Sequence, residues 1–206
     1  MDGPRARHTV HGVLLSLGSP GRGCEDAGMD RVQGLLLAAG AGRRMGMPKA
    51  LVGDWLDSSV AVLRDGGCSG VTVVLGASAG EASSRVPGGT DVVVADDWDT
   101  GMGASLRAGL AALGPDVDAA LVLLVDLPDL SAAVVERVLA GDGGASALRR
   151  ASYDGKPGHP VLIGRDHWAG VVDSAHGDRG ARDYLAAHEH ELVECGDLAT
   201  GEDVDA

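Results

Sequence analysis

The chain has no phenylalanine, and aromatic residues make up 2% of its 206 positions. Any core must therefore be aliphatic, and 45% hydrophobic residues are enough to build one in a single domain of this length. Cysteine is scarce: Cys24, Cys68 and Cys195 are odd in number and far apart, with neither a CxxC nor a Cys/His zinc spacing. That pattern excludes a disulfide framework and points to a reducing cytoplasm. Positive charge is short as well. Seventeen Lys and Arg against 30 Asp and Glu leave a formal charge of −13, which excludes nucleic acid as the main partner because counterion release needs a basic surface. Long apolar runs are missing too: the patch from Val10 to Leu17 is too brief for a bilayer and is interrupted by His11, so no membrane partner is expected.

Glycine is abundant, with 33 residues scattered between apolar runs and no collagen period, which reads as many tight turns. Met1 to Asp30 is polar and punctuated by Gly and Pro. It reads as a disordered N-terminal extension, leaving residues 31–206 as one domain.

Leu35 to Ala39 has no polar alternation, so both faces of that segment should be covered, as in a first strand of an α/β sheet. Val71 to Leu75, Asp91 to Ala95 and Ala119 to Val125 repeat the pattern. Helical spacing over Asp57 to Gly66, Gly101 to Leu113 and Ser131 to Ala140 alternates with them, which predicts a largely parallel sheet. Ala145 to Arg150 and His159 to Ile163 read as two further strands joined by a turn-rich Ser152 to Gly158. Asp178 to His188 reads as a late helix. Right-handed crossovers then bring the ends of the first and fourth strands to one carboxyl edge, where open α/β sheets bind ligands.

The segment between the first strand and Lys49, LLLAAGAGRRMGMPK, concentrates the chemistry. Gly40 and Gly42 can take positive φ and admit phosphate oxygens to backbone N–H groups, while Arg43, Arg44 and Lys49 bring cationic donors to the same mouth. A Walker A loop fails here, because Ala50 follows Lys49 and offers no hydroxyl for magnesium. A dinucleotide G-x-G-x-x-G is weakened by Met45 in the third glycine position. A plain glycine-rich β-to-α turn with its arginines in solvent is the bland alternative.

LAAGAGRRMGMPK resembles the signature LAxGxGxRMGxxK of the MobA-like nucleotidyltransferases, particularly the branch containing molybdenum cofactor cytidylyltransferases. WDTGMGASLRAGL from Trp98, LVDLPDL from Leu124, GHPVLI from Gly158 and GDRGAR from Gly177 resemble further motifs of that branch, in the family's order. The resemblance implies a three-layer Rossmann-like fold with a mostly parallel sheet. It also implies a Mg²⁺-dependent transfer of a nucleoside monophosphate, CMP from CTP, to an acceptor such as molybdopterin, with a molybdoenzyme or its chaperone as a further partner.

The same resemblance assigns roles. Arg44 and Lys49 would hold the triphosphate, and Leu37, Ala38, Ala39, Gly40, Gly42, Gly103 and Ser105 would contact the nucleotide. Asp126, which ends an apolar strand, would hold the metal, helped by Asp205 or Asp203 in a DxDTPED-like carboxyl terminus. His159, Asp178 and Arg182 would face the acceptor. Bland readings stand beside these: a turn aspartate at Asp126, helix–sheet packing at Gly103, a hydrogen-bonding histidine at His159 and a helix cap at Asp178. Alanine at position 39, where guanylyl-transferring relatives tend to carry glycine, leans towards CTP. Two alternatives are an NAD(P)H-dependent oxidoreductase of the nicotine blue type on the same fold, and a noncatalytic cofactor-binding chaperone.

Overall fold

In the computed structural model, which describes residues 31–141 and 143–204, the apolar run after Arg31 is the strand β1 (Val32–Leu37). Its side chains divide strictly by parity: Leu36 packs with α1 (Trp55–Asp65) and α4 (Ala132–Leu139), whereas Leu35 and Leu37 pack with α3 (Met102–Ala112), α5 (Arg165–Ser174) and α6 (Arg182–Ala187). Two aliphatic cores on opposite faces make three layers, helix on sheet on helix, which explains why β1 lacks polar alternation.

The sheet among the described residues has the order β3-β2-β1-β4-β6-β5-β7. It contains β2 (Gly70–Leu75), β3 (Asp91–Val94), β4 (Ala119–Leu124), β5 (Leu148–Tyr153), β6 (Lys156–Gly164) and β7 (Glu191–Glu194), with a short helix α2 (Ala79–Ser83) between β2 and β3. Every strand points the same way except β6, which is antiparallel to both of its neighbours. The expected α/β fold with a mostly parallel sheet is thus the observed one. β1 lies between β2 and β4, paired Leu37 to Leu124 with the latter, so the chain leaves β1 one way and returns on its other side. That reversal of strand order opens a crevice at the carboxyl ends of β1 and β4.

Three expectations need correction. The strand foreseen at Ala145 to Arg150 begins at Leu148 and runs to Tyr153, and the supposed turn region is mostly strand: only Asp154 and Gly155 turn, at φ 50° and 76°. Asp-Gly is a strong two-residue hairpin signal, because both positions tolerate positive φ. The helix foreseen at Asp178 to His188 is a single 3-10 turn, Gly177–Arg179, then Gly180 at φ 51°, then α6. Helices α2 and α5 and strand β7 were not foreseen. The N-terminal extension, Met1 to Asp30, lies outside the described residues.

Candidate active site

The loop after β1 is closed by its own backbone: Lys49 N–H donates to the Gly40 carbonyl at 3.1 Å. Gly42 sits at φ 54°, and a Cβ there would lie 1.9 Å from the Met47 carbonyl oxygen, so no other residue fits that turn. The left-handed positions of the loop are Gly42 and Gly46; Gly40 is not one of them. Pro48 then fixes the start of a short 3-10 turn, Lys49–Leu51, which aims the lysine side chain inward.

Lys49 Nζ forms an ion pair with Asp126 Oδ2. Asp126 follows β4 directly, and its side chain is 8% exposed against 20% for the lysine, so both charges are largely removed from water. A pair this enclosed is not a surface ornament: loss of either partner strands the other charge. Both residues line a cavity of about 340 Å³ together with Leu37, Ala39, Gly40 and Gly42. Arg43 lines it too, whereas Arg44 is exposed on the turn and outside that lining. Ala38, expected to contact nucleotide, is 1% exposed and packs into the α1–α4 core. Parity explains this: in an extended segment Ala38 must point opposite to Leu37 and Ala39.

On the far wall, α3 presents the buried Ser105 to the same cavity. Gly103 does something else. A Cβ there would meet the Ala175 carbonyl oxygen at 2.6 Å, and one on Gly101 would meet the Gly177 carbonyl carbon at 2.3 Å. The two glycines let the start of α3 seat against the segment 175–178, and Arg107 tightens that seat by donating to the Ala175 carbonyl and, at 3.0 Å, to Asp97. Gly103 is thus a packing residue, which places Asp178 in the wall between two cavities.

The second cavity, about 310 Å³, shares Leu37, Met102, Leu124 and Asp178 with the first. Its floor is apolar, with Val122, Val161 and Ile163, and its rim carries Arg150, Arg179 and Arg182. His159 reaches it because β6 is reversed: Val161 pairs with Val122, so residues earlier in β6 approach the carboxyl end of β4. Burial pushes the imidazole down to about 4, helped by the charges of Arg150 and Arg182. Burial also lowers the Arg150 guanidinium, with Arg182 again contributing. Mutual repulsion of this kind is relieved by an anion between the arginines. The His159 carbonyl accepts the Tyr153 hydroxyl at 2.6 Å, and the peptide to Pro160 is cis.

The carboxyl-terminal segment docks here. Thr200 donates its N–H and its hydroxyl to Asp129, at 2.7 and 2.6 Å, and Val204 N–H donates to the Asp126 carbonyl at 3.0 Å. Asp203 consequently lines the arginine cavity, while Asp205 lies outside the described residues. Among the described residues no three His, Cys, Asp or Glu side chains gather as a metal site. Asp126 nonetheless fits magnesium or manganese chemistry, since such ions are commonly held by one or two carboxylates plus substrate phosphates. Sequence reasoning overlooked Trp98 and Asp99 in the first cavity and Arg150 and Arg179 in the second. Trp98 was legible, standing two residues before the TGMG run, whereas Arg150 could not be found without knowing that β5 continues past it.

The glycine loop, with its lysine on a strand-end carboxylate, thus adjoins an arginine-rimmed second cavity. The model of the MobA-like NTP transferase domain matches residues 34–192. The chain belongs to the MobA-like NTP transferase family. A relative in that family, the nicotine blue oxidoreductase of Paenarthrobacter nicotinovorans, is 38% identical over 196 residues, 87% of this chain and 95% of its own. Among solved structures, the homologue of Mycobacterium tuberculosis Rv0371c from Mycobacterium sp. strain JC1 superposes with a TM-score of 0.74 at 31% identity, over 85% of this chain and 90% of its own. Rv0371c itself, from strain H37Rv and crystallised in complex with manganese, gives 0.66 at 27%, over 80% and 87%. None of the described MobA-like helices is long and apolar enough to cross a membrane.

Proposed function

We propose that this protein transfers a nucleoside monophosphate, CMP from CTP, to the phosphate of a flat heterocyclic acceptor of the molybdopterin type. The observation that carries this reading is the contiguity of the two cavities: Lys49 and Asp126 serve one, Arg150, Arg179 and Arg182 the other, and Asp178 stands between. An acceptor phosphate oxygen attacks the α-phosphorus, the bond to the bridging oxygen of the β-phosphate breaks, and pyrophosphate leaves.

Negative charge builds on the equatorial and leaving oxygens in that step, so fixed cations are the main requirement. Lys49 and Arg43 face the triphosphate, with Arg44 at its outer edge. A divalent cation on Asp126, expected to be Mg²⁺, would add Lewis acidity there. The lysine ammonium and such a cation compete for one carboxylate, so triphosphate binding, which draws Lys49 outward, frees Asp126. The second cavity orients the acceptor: the arginines hold its phosphate, the apolar floor its ring, and a neutral His159 offers a hydrogen bond without adding a charge. Asp203 or Asp205 would supply a second carboxylate to the metal.

CTP is favoured by the contact among Ala39, Gly76 and Trp98, which narrows the base end. A Cβ on Gly76 would lie 2.8 Å from that of Ala39 and 2.5 Å from the indole Cγ. The decisive assay is pyrophosphate release from CTP and Mg²⁺ in the presence of molybdopterin, with GTP and ATP as controls. Release with CTP supports the reading; release with none of them contradicts it. The 38% identical relative supports a second reading, an NAD(P)H-dependent oxidoreductase acting on a dye of the nicotine blue type in the same crevice. In that case the glycine loop would hold a dinucleotide pyrophosphate, and NADPH oxidation by such a dye would proceed without triphosphate.

A further inference from the structure

Another cavity, of about 180 Å³, lies on the α1–α4 face of the sheet, between the first turns of α1 and the loop that follows Asp126. Helix packing leaves it open. At the end of α1 the two helices touch closely, since a Cβ on Gly66 would lie 2.4 Å from that of Val135 in α4. At the start of α1 the facing chain is instead a turn, closed by Leu130 N–H on the Leu127 carbonyl at 3.3 Å, and the space between is unfilled. Trp55, Val62, Leu123, Leu127 and Leu130 make the walls apolar. A ring of benzene size fits such a space, as a cavity of about 150 Å³ accepts benzene.

One wall residue is out of keeping with the rest. Ser59 is 8% exposed, yet its hydroxyl forms no hydrogen bond among the described residues. Helical serines commonly bond back to the carbonyl one turn earlier. Ser83 and Ser174 do so, at 2.7 and 2.8 Å, although both are less buried than Ser59. No fully enclosed side-chain polar atom of the described residues lacks a partner, so the Ser59 Oγ opens into the cavity that it lines. Asp54 stands at the exposed rim, and its carboxylate neither caps α1 nor pairs with another described residue. No Lys, Arg or His lines the space.

We propose that this cavity is a second ligand site, which takes a small primary amine carrying one apolar ring. The ring packs against Trp55 and the leucines, while the ammonium donates to the Ser59 hydroxyl and faces Asp54 and water at the rim. A carboxylate in the same place would meet Asp54 and no cation, so anions are rejected. The site shares no lining residue with the first cavity and is independent of the reaction run there. Leu127 nonetheless follows Asp126 directly, so an occupant packs on the residue next to the carboxylate that pairs with Lys49.

The test is titration of the full chain with benzylamine, benzyl alcohol and benzoate, followed by the tryptophan indole N–H resonances, with that of Trp55 assigned through Trp55→Phe. Benzylamine is expected to shift the Trp55 signal with a Kd on the order of 1 mM or below, as suits a ligand of its size. Benzyl alcohol should bind more weakly, and benzoate at least about tenfold more weakly than the amine. Ser59→Ala should weaken benzylamine about tenfold, the scale of one hydrogen bond to a charged group. Alanine is the better helix former, so this variant keeps α1. Asp54→Asn should lower the preference for amine over alcohol about threefold, since an exposed charge contributes little. Benzoate binding as well as benzylamine, shifts at Trp98 without any at Trp55, full affinity in Ser59→Ala, or no binding at millimolar concentration would each overturn the proposal.

Discussion

At the scale of single residues, the proposed transfer rests on the Lys49–Asp126 pair. On that reading, removing the lysine takes away the cation closest to the triphosphate. Lys49→Met is expected to lower nucleotidyl transfer about 100- to 1,000-fold, as loss of one transition-state electrostatic contact does. It should leave the far-ultraviolet spectrum unchanged, and retained turnover would show the lysine to be a structural counter-ion only. The same variant should bind Mn²⁺ more tightly in the absence of nucleotide, because nothing then competes for Asp126; paramagnetic resonance of free Mn²⁺ reads this directly. His159 makes a separate, pH-dependent contribution. Its folded value near 4 is below the ordinary 6.5, so the unfolded chain binds the proton first. Stability from this group is complete above about pH 6.5 and falls as the pH drops towards 4. His159→Gln should flatten the stability profile across that window in denaturant titrations, and an unchanged slope would mean that the imidazole is solvated.

At the scale of elements, placement depends on close backbone approaches that only glycine permits. Gly101 and Gly103 let α3 seat on the segment that carries Asp178. Gly103→Val, with a branched side chain forced against the Ala175 carbonyl, is expected to cost about 1–3 kcal/mol by overpacking and to displace Asp178. The measurements are the urea midpoint and transfer activity, and activity should fall further than stability accounts for. A Gly103→Val variant with an unchanged midpoint would show that the contact is loose. Elements were legible in the sequence in proportion to how apolar they are. Continuous runs such as Leu35 to Leu37 and Ala119 to Leu124 announced strands buried on both faces. β5 was misplaced because Arg149, Arg150 and Ser152 obscure it. Arg149 is buried by donating to the Val138 carbonyl and by pairing with Glu191, at 2.7 and 3.0 Å, from a strand 42 positions later, and no local pattern reveals such partners. β7 has just Leu192 and Val193 as apolar residues, and docking of Thr200 on Asp129 spans 71 positions. Motif matches located the cavity-lining residues well where a strand or turn holds them, as at Ala39, Gly42 and Asp126. They failed to separate ligand contact from packing at Ala38 and Gly103, because that depends on which way a side chain faces.

At the scale of the whole molecule, an acidic protein concentrates cations at one sheet edge. The charge of −13 should slow anionic ligands, yet Lys49, Arg43, Arg150, Arg179 and Arg182 gather at the switch point between β1 and β4 and its neighbour β6. Opposing fields of this kind make association with a triphosphate depend on salt: local attraction is screened beyond about 8 Å at physiological ionic strength, and so is the distant repulsion. The family is named for NTP transfer and one relative is named an oxidoreductase, so the nucleotide bound decides between the two readings. Thermal stabilisation of the full chain by CTP, GTP, ATP and NADPH, each with and without Mg²⁺, tests this most directly. A Mg²⁺-dependent rise in melting temperature with CTP, larger than with any other ligand, is the predicted result; stabilisation by NADPH alone would contradict it.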